Sequence, residues 1–228
     1  MQYALELHRK GILDQAEGLY SGVLKLAPDR VEALHFLGVL KNQQGRPEEA
    51  LALIAAALEL NSGWVQLLVN YALVLNGAQH HDDALAAAER AIALDPANAE
   101  AVFQRGNALM GLGRFDDALA AFDGAIALDP GQVDAVVNGG NALFKLGRAA
   151  EAAEAFGRAA AAVPGHAGIL NNYGQALDGA GRGAEALACF DSALAADPAY
   201  VPALINQAAT LLHLDRAAEA LASVDRAR

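Results

Sequence analysis

Apolar residues make up 54% of this 228-residue chain while aromatics reach only 6%, so the apolar mass is mostly Ala and Leu, which favour helices over strands. A formal net charge of -11, from 16 Lys and Arg against 27 Asp and Glu, repels nucleic acid unless a basic stripe overrides it. No such stripe is present, the one cysteine (Cys189) excludes an internal disulfide framework, the start from Met1 to Gly11 shows no apolar h-region after a basic n-region, and apolar runs such as Leu51 to Leu58 are too short for a bilayer span.

The expectation is therefore an all-α protein of the cytoplasm, with no membrane insertion. The longest basic cluster, His8-Arg9-Lys10, reads as a solvated helix end. Along the chain, Pro28, Pro96, Pro130, Pro164 and Pro198 are separated by multiples of 34 residues, and Ser62 fills the one rung without proline. This frame predicts a single array: a partial repeat at 1–30, then 31–64, 65–98, 99–132, 133–166 and 167–200, and a partial repeat at 201–228.

Each repeat is expected to hold two helices. The first ends near position 15, at Gly11, Gly45, Gly113, Gly147 and Gly181, because a helix C-terminus favours a left-handed residue without a Cβ penalty. Gln79 and Asp215 stand at that position in the third and last repeats. Asp82-Asp83 and Asp116-Asp117 open second helices, where carboxylates complement the helix dipole. Asp95-Pro96, Asp129-Pro130 and Asp197-Pro198 close them, since proline disfavours helical geometry in the residue before it.

Position 20 is Ala in every repeat: Ala16, Ala50, Ala84, Ala118, Ala152, Ala186 and Ala220. Position eight is always Gly or Ala, position 27 is Val23 and then always Ala, and position 24 is large at Tyr20, Ile54, Phe122, Phe156 and Phe190. Two antiparallel helices approach closely only where small side chains face each other, with a large neighbour filling the remaining gap.

These residues, with proline at position 32, resemble the tetratricopeptide repeat over the whole chain. The resemblance implies a right-handed α-α superhelix (solenoid) of about seven helix-turn-helix repeats whose first helices line the concave side. Lys41, where Leu is usual in the family, is a departure.

On the first helix, positions four, seven, eight and 11 share one side, and positions two, six, nine and 13 lie opposite, away from the expected core. Position six reads Gln2, Phe36, Asn70, Gln104, Asn138, Asn172 and Asn206, and position nine adds Asn107, Asn141 and Gln175. Asn is a poor helix former, so its recurrence asks for a reason beyond solubility. Its amide offers both a donor and an acceptor, which match a peptide backbone of any sequence.

The row resembles the superhelical repeat domain of O-linked N-acetylglucosamine transferases, in which Asn at this position contacts the backbone of an extended peptide. That implies a peptide-binding role for Asn70, Asn138, Asn172 and Asn206 directly, and for Gln104 by analogy. Phe36 and Gln2 do not match. Asn107, Asn141 and Gln175 join the expected site, and Phe103 and Phe144 are candidate apolar anchors at its edges.

The bland alternative is that the Asn row serves local contacts between repeats. A carboxylate clamp is disfavoured, because position five (Met1, His35, Val69, Phe103, Val137, Asn171, Ile205) carries no Lys or Arg. Neither His80-His81, Gly179 to Gly183 nor Cys189 has the context of a metal site, a phosphate loop or a nucleophile, and Trp64 is read as inter-repeat packing or an exposed hot spot.

The expected function is a non-catalytic scaffold without cofactor that binds a protein or extended peptide. It is also a candidate for the substrate-recognition region of a larger protein O-glycosyltransferase, the chain reading as a fragment whose last helix is cut at Ala227-Arg228. The competing expectation is self-association through uncapped ends or the convex face, with Leu211, Leu214, Leu221 and Val224 exposed.

Overall fold

The computed structural model describes residues 1–227; the end of the last helix read at Arg228 lies outside the described residues. The described residues form α-helices joined by turns, in two compact units, Met1–Arg114 and from Phe115 onward. The first unit holds α1 (Gln2–Arg9), α2 (Leu13–Leu26), α3 (Val31–Gln43), α4 (Pro47–Leu60), α5 (Val65–Gly77), α6 (His81–Leu94) and α7 (Ala99–Gly111). The second holds α8 (Phe115–Leu128), α9 (Val133–Lys145), α10 (Ala149–Ala162), α11 (Ala167–Gly179), α12 (Gly183–Ala196), α13 (Val201–His213) and α14 (Ala217–Arg226).

Each unit is an all-α solenoid of stacked helix pairs. Within the units, α4, α6, α10, α12 and α14 each pack on their own first helix, and α4, α6, α8, α10 and α12 pack on the first helix that follows them. First helices also touch one another, α3 with α5, α5 with α7 and α11 with α13, and no second helix meets another to that extent among the described residues. First helices therefore form the inner side of each unit.

The turns follow the chemistry of position 15. Gly11, Gly45, Gly113, Gly147 and Gly181 have φ between 73° and 77°, and Gln79 (64°) and Asp215 (58°) are held in the same left-handed geometry at a Cβ cost. After the turn the second helix opens on an arginine in five repeats, at Arg46, Arg114, Arg148, Arg182 and Arg216. Arg46, Arg148, Arg182 and Arg216 each grip the glutamate three residues on (Glu49, Glu151, Glu185, Glu219), and the guanidinium holds each of these carboxyls below the usual range. The pairs are exposed and set the local geometry more than the stability.

Position 20 lies at the centre of the packing: Ala16, Ala50, Ala84, Ala118, Ala152 and Ala186 are fully buried. The small residue at position eight follows from the large one at 24. A Cβ on Gly38 would stand 2.6 Å from Ile54 Cγ1, and one on Gly174 would stand 2.6 Å from Phe190 Cε1, separations that real side chains do not tolerate. In the third repeat position 24 shrinks to Ala88, and position eight can then be Ala72; both are fully buried.

Lys41 shows how a departure is accommodated. It is buried on α3, with Nζ 2.5 Å from Glu17 Oε1 on α2 and 3.3 Å from Glu49. The hydrogen bond from Lys41, with another from Gln44, keeps the Glu17 carboxyl below the ordinary carboxylate range against the opposing effect of burial.

Candidate functional site

In the first unit the expected binding residues are Asn70 on α5 and Gln104 and Asn107 on α7. Asn70 Nδ2 donates to His35 Nε2 at 2.6 Å, and Asn70 Oδ1 accepts from Gln66 Nε2 at 3.2 Å. His35, at the inner edge of α3, is only 2% exposed, and burial pushes its pKa down to about 4, so the ring is neutral and can accept. Its proton then sits on Nδ1, which has no hydrogen-bond partner. Phe36 and Trp64 pack on the ring, Trp64 edge-on at 4.7 Å, so the half-buried indole contributes to packing between repeats.

Gln104 does not belong to an open face. It is 3% exposed; its Oε1 accepts from Asn76 Nδ2 (3.1 Å) and Asn107 Nδ2 (3.4 Å), and its Nε2 donates to Glu100 at 2.7 Å. Asn76, at position 12 of the preceding repeat, reaches from α5 to α7 and also bonds the Gln104 carbonyl, which draws the side chain inward. The expectation that position six always lies away from the core fails here.

The second unit carries Asn138 and Asn141 on α9, Asn172 and Gln175 on α11, and Asn206 on α13. Asn141 Nδ2 donates to Asn138 Oδ1 at 3.4 Å. Asn206 Nδ2 donates to Asn171 Oδ1 at 2.9 Å, and Asn171 Nδ2 donates to Asn172 Oδ1 at 3.3 Å. Within the described residues, Asn172 Nδ2, Asn206 Oδ1 and Asn141 Oδ1 form no hydrogen bond, and the exposed Gln175 forms none at all.

Asn171, 5% exposed at position five, joins this row although the pattern of positions six and nine does not include it. Its signal was a spacing: Asn171 meets Asn206 as His35 meets Asn70, each pair 35 residues apart across neighbouring first helices. Polar side chains at position five therefore receive the position-six amide of the next repeat.

The candidate anchors fare unequally. Phe103 is 9% exposed and belongs to the core, whereas Phe144 is half-buried against the core of the second unit. Leu211, expected at the surface, is also buried; α13 turns it inward beside Leu187, leaving Leu214, Leu221 and Val224 exposed. Cys189 is half-buried, and burial raises its thiol pKa, which fits packing. No metal-holding group of His, Cys, Asp or Glu occurs among the described residues, and no helix is long and apolar enough to cross a membrane. A cleft of about 840 Å³ in the first unit, lined by Arg30, Glu32, Asn61 and Trp64 among others, includes none of the carboxamides above.

The 34-residue frame, the paired helices and the small-residue core meet in one comparison: the tetratricopeptide repeat family model matches residues 4–63, 72–133, 137–201 and 174–228. This chain is a tetratricopeptide repeat protein. Repeats of this kind stack into extended surfaces used for protein interaction. No curated protein matches the chain.

Solved structures align along most of this tetratricopeptide protein. One is a tetratricopeptide repeat protein from Parabacteroides merdae, 19% identical with a TM-score of 0.78, the match covering 99% of this chain and 90% of that one. PilF of Pseudomonas aeruginosa is 18% identical with a TM-score of 0.72, over 85% of this chain and 88% of its own. At those identities the likeness is one of fold. YrrB, a tetratricopeptide protein with an unusual peptide-binding site, is 25% identical with a TM-score of 0.64, over 76% of this chain and 90% of its own.

Proposed function

We propose that this scaffold holds an extended peptide segment of a partner protein on the first helices of its second unit. The observation that carries the reading is the set of amide atoms left without partners there: a donor at Asn172 Nδ2, acceptors at Asn206 Oδ1 and Asn141 Oδ1, and both groups of Gln175. They offer a peptide backbone the two kinds of group it needs. YrrB, with its peptide-binding site, supports the reading.

Each amide bond is worth about 0.5–1.5 kcal/mol net, so the row alone binds weakly and needs an apolar contact or a tethered second site. Phe144 is the candidate contact. Resemblance of the Asn row to the glycosyltransferase repeat domain names the finer role, presenting an acceptor segment to a protein O-glycosyltransferase. A second reading, self-association, is favoured by the exposed Leu214, Leu221 and Val224. Light scattering separates it: a Leu214→Ser/Leu221→Ser variant that turns an oligomer into a monomer supports it, and an unchanged mass discards it.

The binding test uses a peptide selected on the wild-type protein from a random unstructured library, read by fluorescence anisotropy. In Asn141→Ala/Asn172→Ala/Gln175→Ala, all the uncommitted groups except Asn206 Oδ1 are lost and the affinity should drop tenfold or more while the circular dichroism stays unchanged. A library that yields no binder, or equal affinity in the triple variant, discards the reading.

A further inference from the structure

Three amides on α11 and α13 are joined in one direction. Asn206 donates to Asn171, and Asn171 donates to Asn172, so the buried side chain takes the NH2 group of one neighbour and the carbonyl of the other. The consequence is opposite in the two: Asn206 is left with its oxygen uncommitted and Asn172 with its nitrogen. An amide turns over about its terminal bond at little cost when nothing holds it, and would then present either end. Here both are held, one rung as acceptor and its neighbour as donor.

We infer that Asn171 is a positioning residue that assigns acceptor polarity to Asn206 and donor polarity to Asn172, so that the bound backbone sets an N–H on α13 and a C=O on α11. This rests on the peptide-binding reading proposed above and gives it a direction. Asn171 itself is too deeply buried to touch the peptide. The same device occurs in the first unit in other chemistry, where His35 accepts from Asn70 across the same 35 residues. In the first unit, however, Gln66 occupies Asn70 Oδ1, so no outward atom of that amide is set free. The remaining position-five residues of the interior repeats, Val69, Phe103 and Val137, are apolar and cannot hold an amide.

The repeats supply the variants that separate positioning from packing. Asn171→Val installs the residue found at Val69 and Val137, a side chain that first helices already accept at this position. It removes both inward bonds, and the half-exposed Asn172 and Asn206 amides turn to water. Asn171→His copies His35: it accepts from Asn206 but no longer fixes Asn172.

With the library-selected peptide, Asn171→Val should lower affinity about fivefold to tenfold with little change in melting temperature, and Asn171→His should recover part of the loss. Adding Asn206→Ala to Asn171→Val should cost less than Asn206→Ala costs alone, because the rung is already loose. N-methylation of single backbone positions should show one site where the wild type loses affinity and Asn206→Ala loses no more.

If Asn172→Ala weakens binding while Asn171→Val leaves it unchanged, the positioning role is overturned and the peptide-binding reading stands. A loss in Asn171→Val that Asn171→His does not recover, or that adds in full to Asn206→Ala, also overturns it. If neither Asn172→Ala nor Asn206→Ala matters, both fall together.

Discussion

The niche between one repeat and the next is built twice in different chemistry. In the second unit Leu187 on α12 and Leu211 on α13, at positions 21 and 11, meet as buried leucines in one core. In the first unit the same two positions are Glu17 on α2 and Lys41 on α3, and they meet as an ion pair. One backbone geometry thus accepts either a leucine pair or a charge pair, provided both members change together. The difference lies in what happens when one member is lost. A leucine without its partner leaves a gap, whereas a buried charge without its partner keeps its desolvation cost with little to offset it.

The largest expected effect tests that difference directly. Glu17→Leu leaves Lys41 buried with only the longer contact to Glu49 and should destabilise the first unit by about 3 kcal/mol. Glu17→Leu/Lys41→Leu recreates the niche of the second unit and should return to within about 1 kcal/mol of the wild type, or above it. The converse, Leu187→Glu, should unfold the second unit at lower denaturant, with partial rescue by Leu211→Lys. Urea unfolding of the four variants checks both directions. A double variant no better than Glu17→Leu would show that the two niches are not equivalent.

A second contrast is titration. His35 and Asn171 occupy the same repeat position and accept from the next Asn in the same way, yet of the two only His35 can titrate. Its pKa of about 4 in the fold lies below the ordinary 6.5, so between these values the unfolded chain takes up a proton that the fold refuses. The stabilisation is complete above 6.5 and is lost as the pH falls towards 4. The first unit should lose up to about 2 kcal/mol between pH 7 and pH 5, and His35→Val should remove most of that slope. Glu17 does not interfere, because its lowered pKa moves its loss below the ordinary 4.5. Hydrogen exchange in α3 and α5 at the two pH values reads it; a slope unchanged by His35→Val would remove His35 as the cause.

These contrasts also mark what could be read in the chain beforehand. Period, turn glycines and the small core positions are legible because each obeys a rule within one repeat, as the alanine at position 20 does. The carboxamides obey no such rule. Gln104 and Asn206 occupy the same repeat position, and what buries one and leaves the other half-exposed is the residue it meets on a neighbouring helix, Asn76 or Asn171. That information is carried by pairs 28 or 35 residues apart and by amide orientation, neither of which a one-repeat pattern contains.

The smallest effect compares two turns. Gln79 in the first unit and Asp215 in the second adopt left-handed φ where the other repeats place glycine. Glycine carries no Cβ penalty there, so Gln79→Gly should stabilise by about 1 kcal/mol, less the entropy that a more flexible unfolded chain returns. Aspartate tolerates the left-handed region better than glutamine, because its short carboxylate can bond the local backbone. Asp215→Gly should therefore gain less than Gln79→Gly, a difference of a few tenths of a kcal/mol that differential unfolding of the two single variants can rank. An equal gain at both turns would assign the cost to the backbone conformation alone and leave no part of it to the side chain.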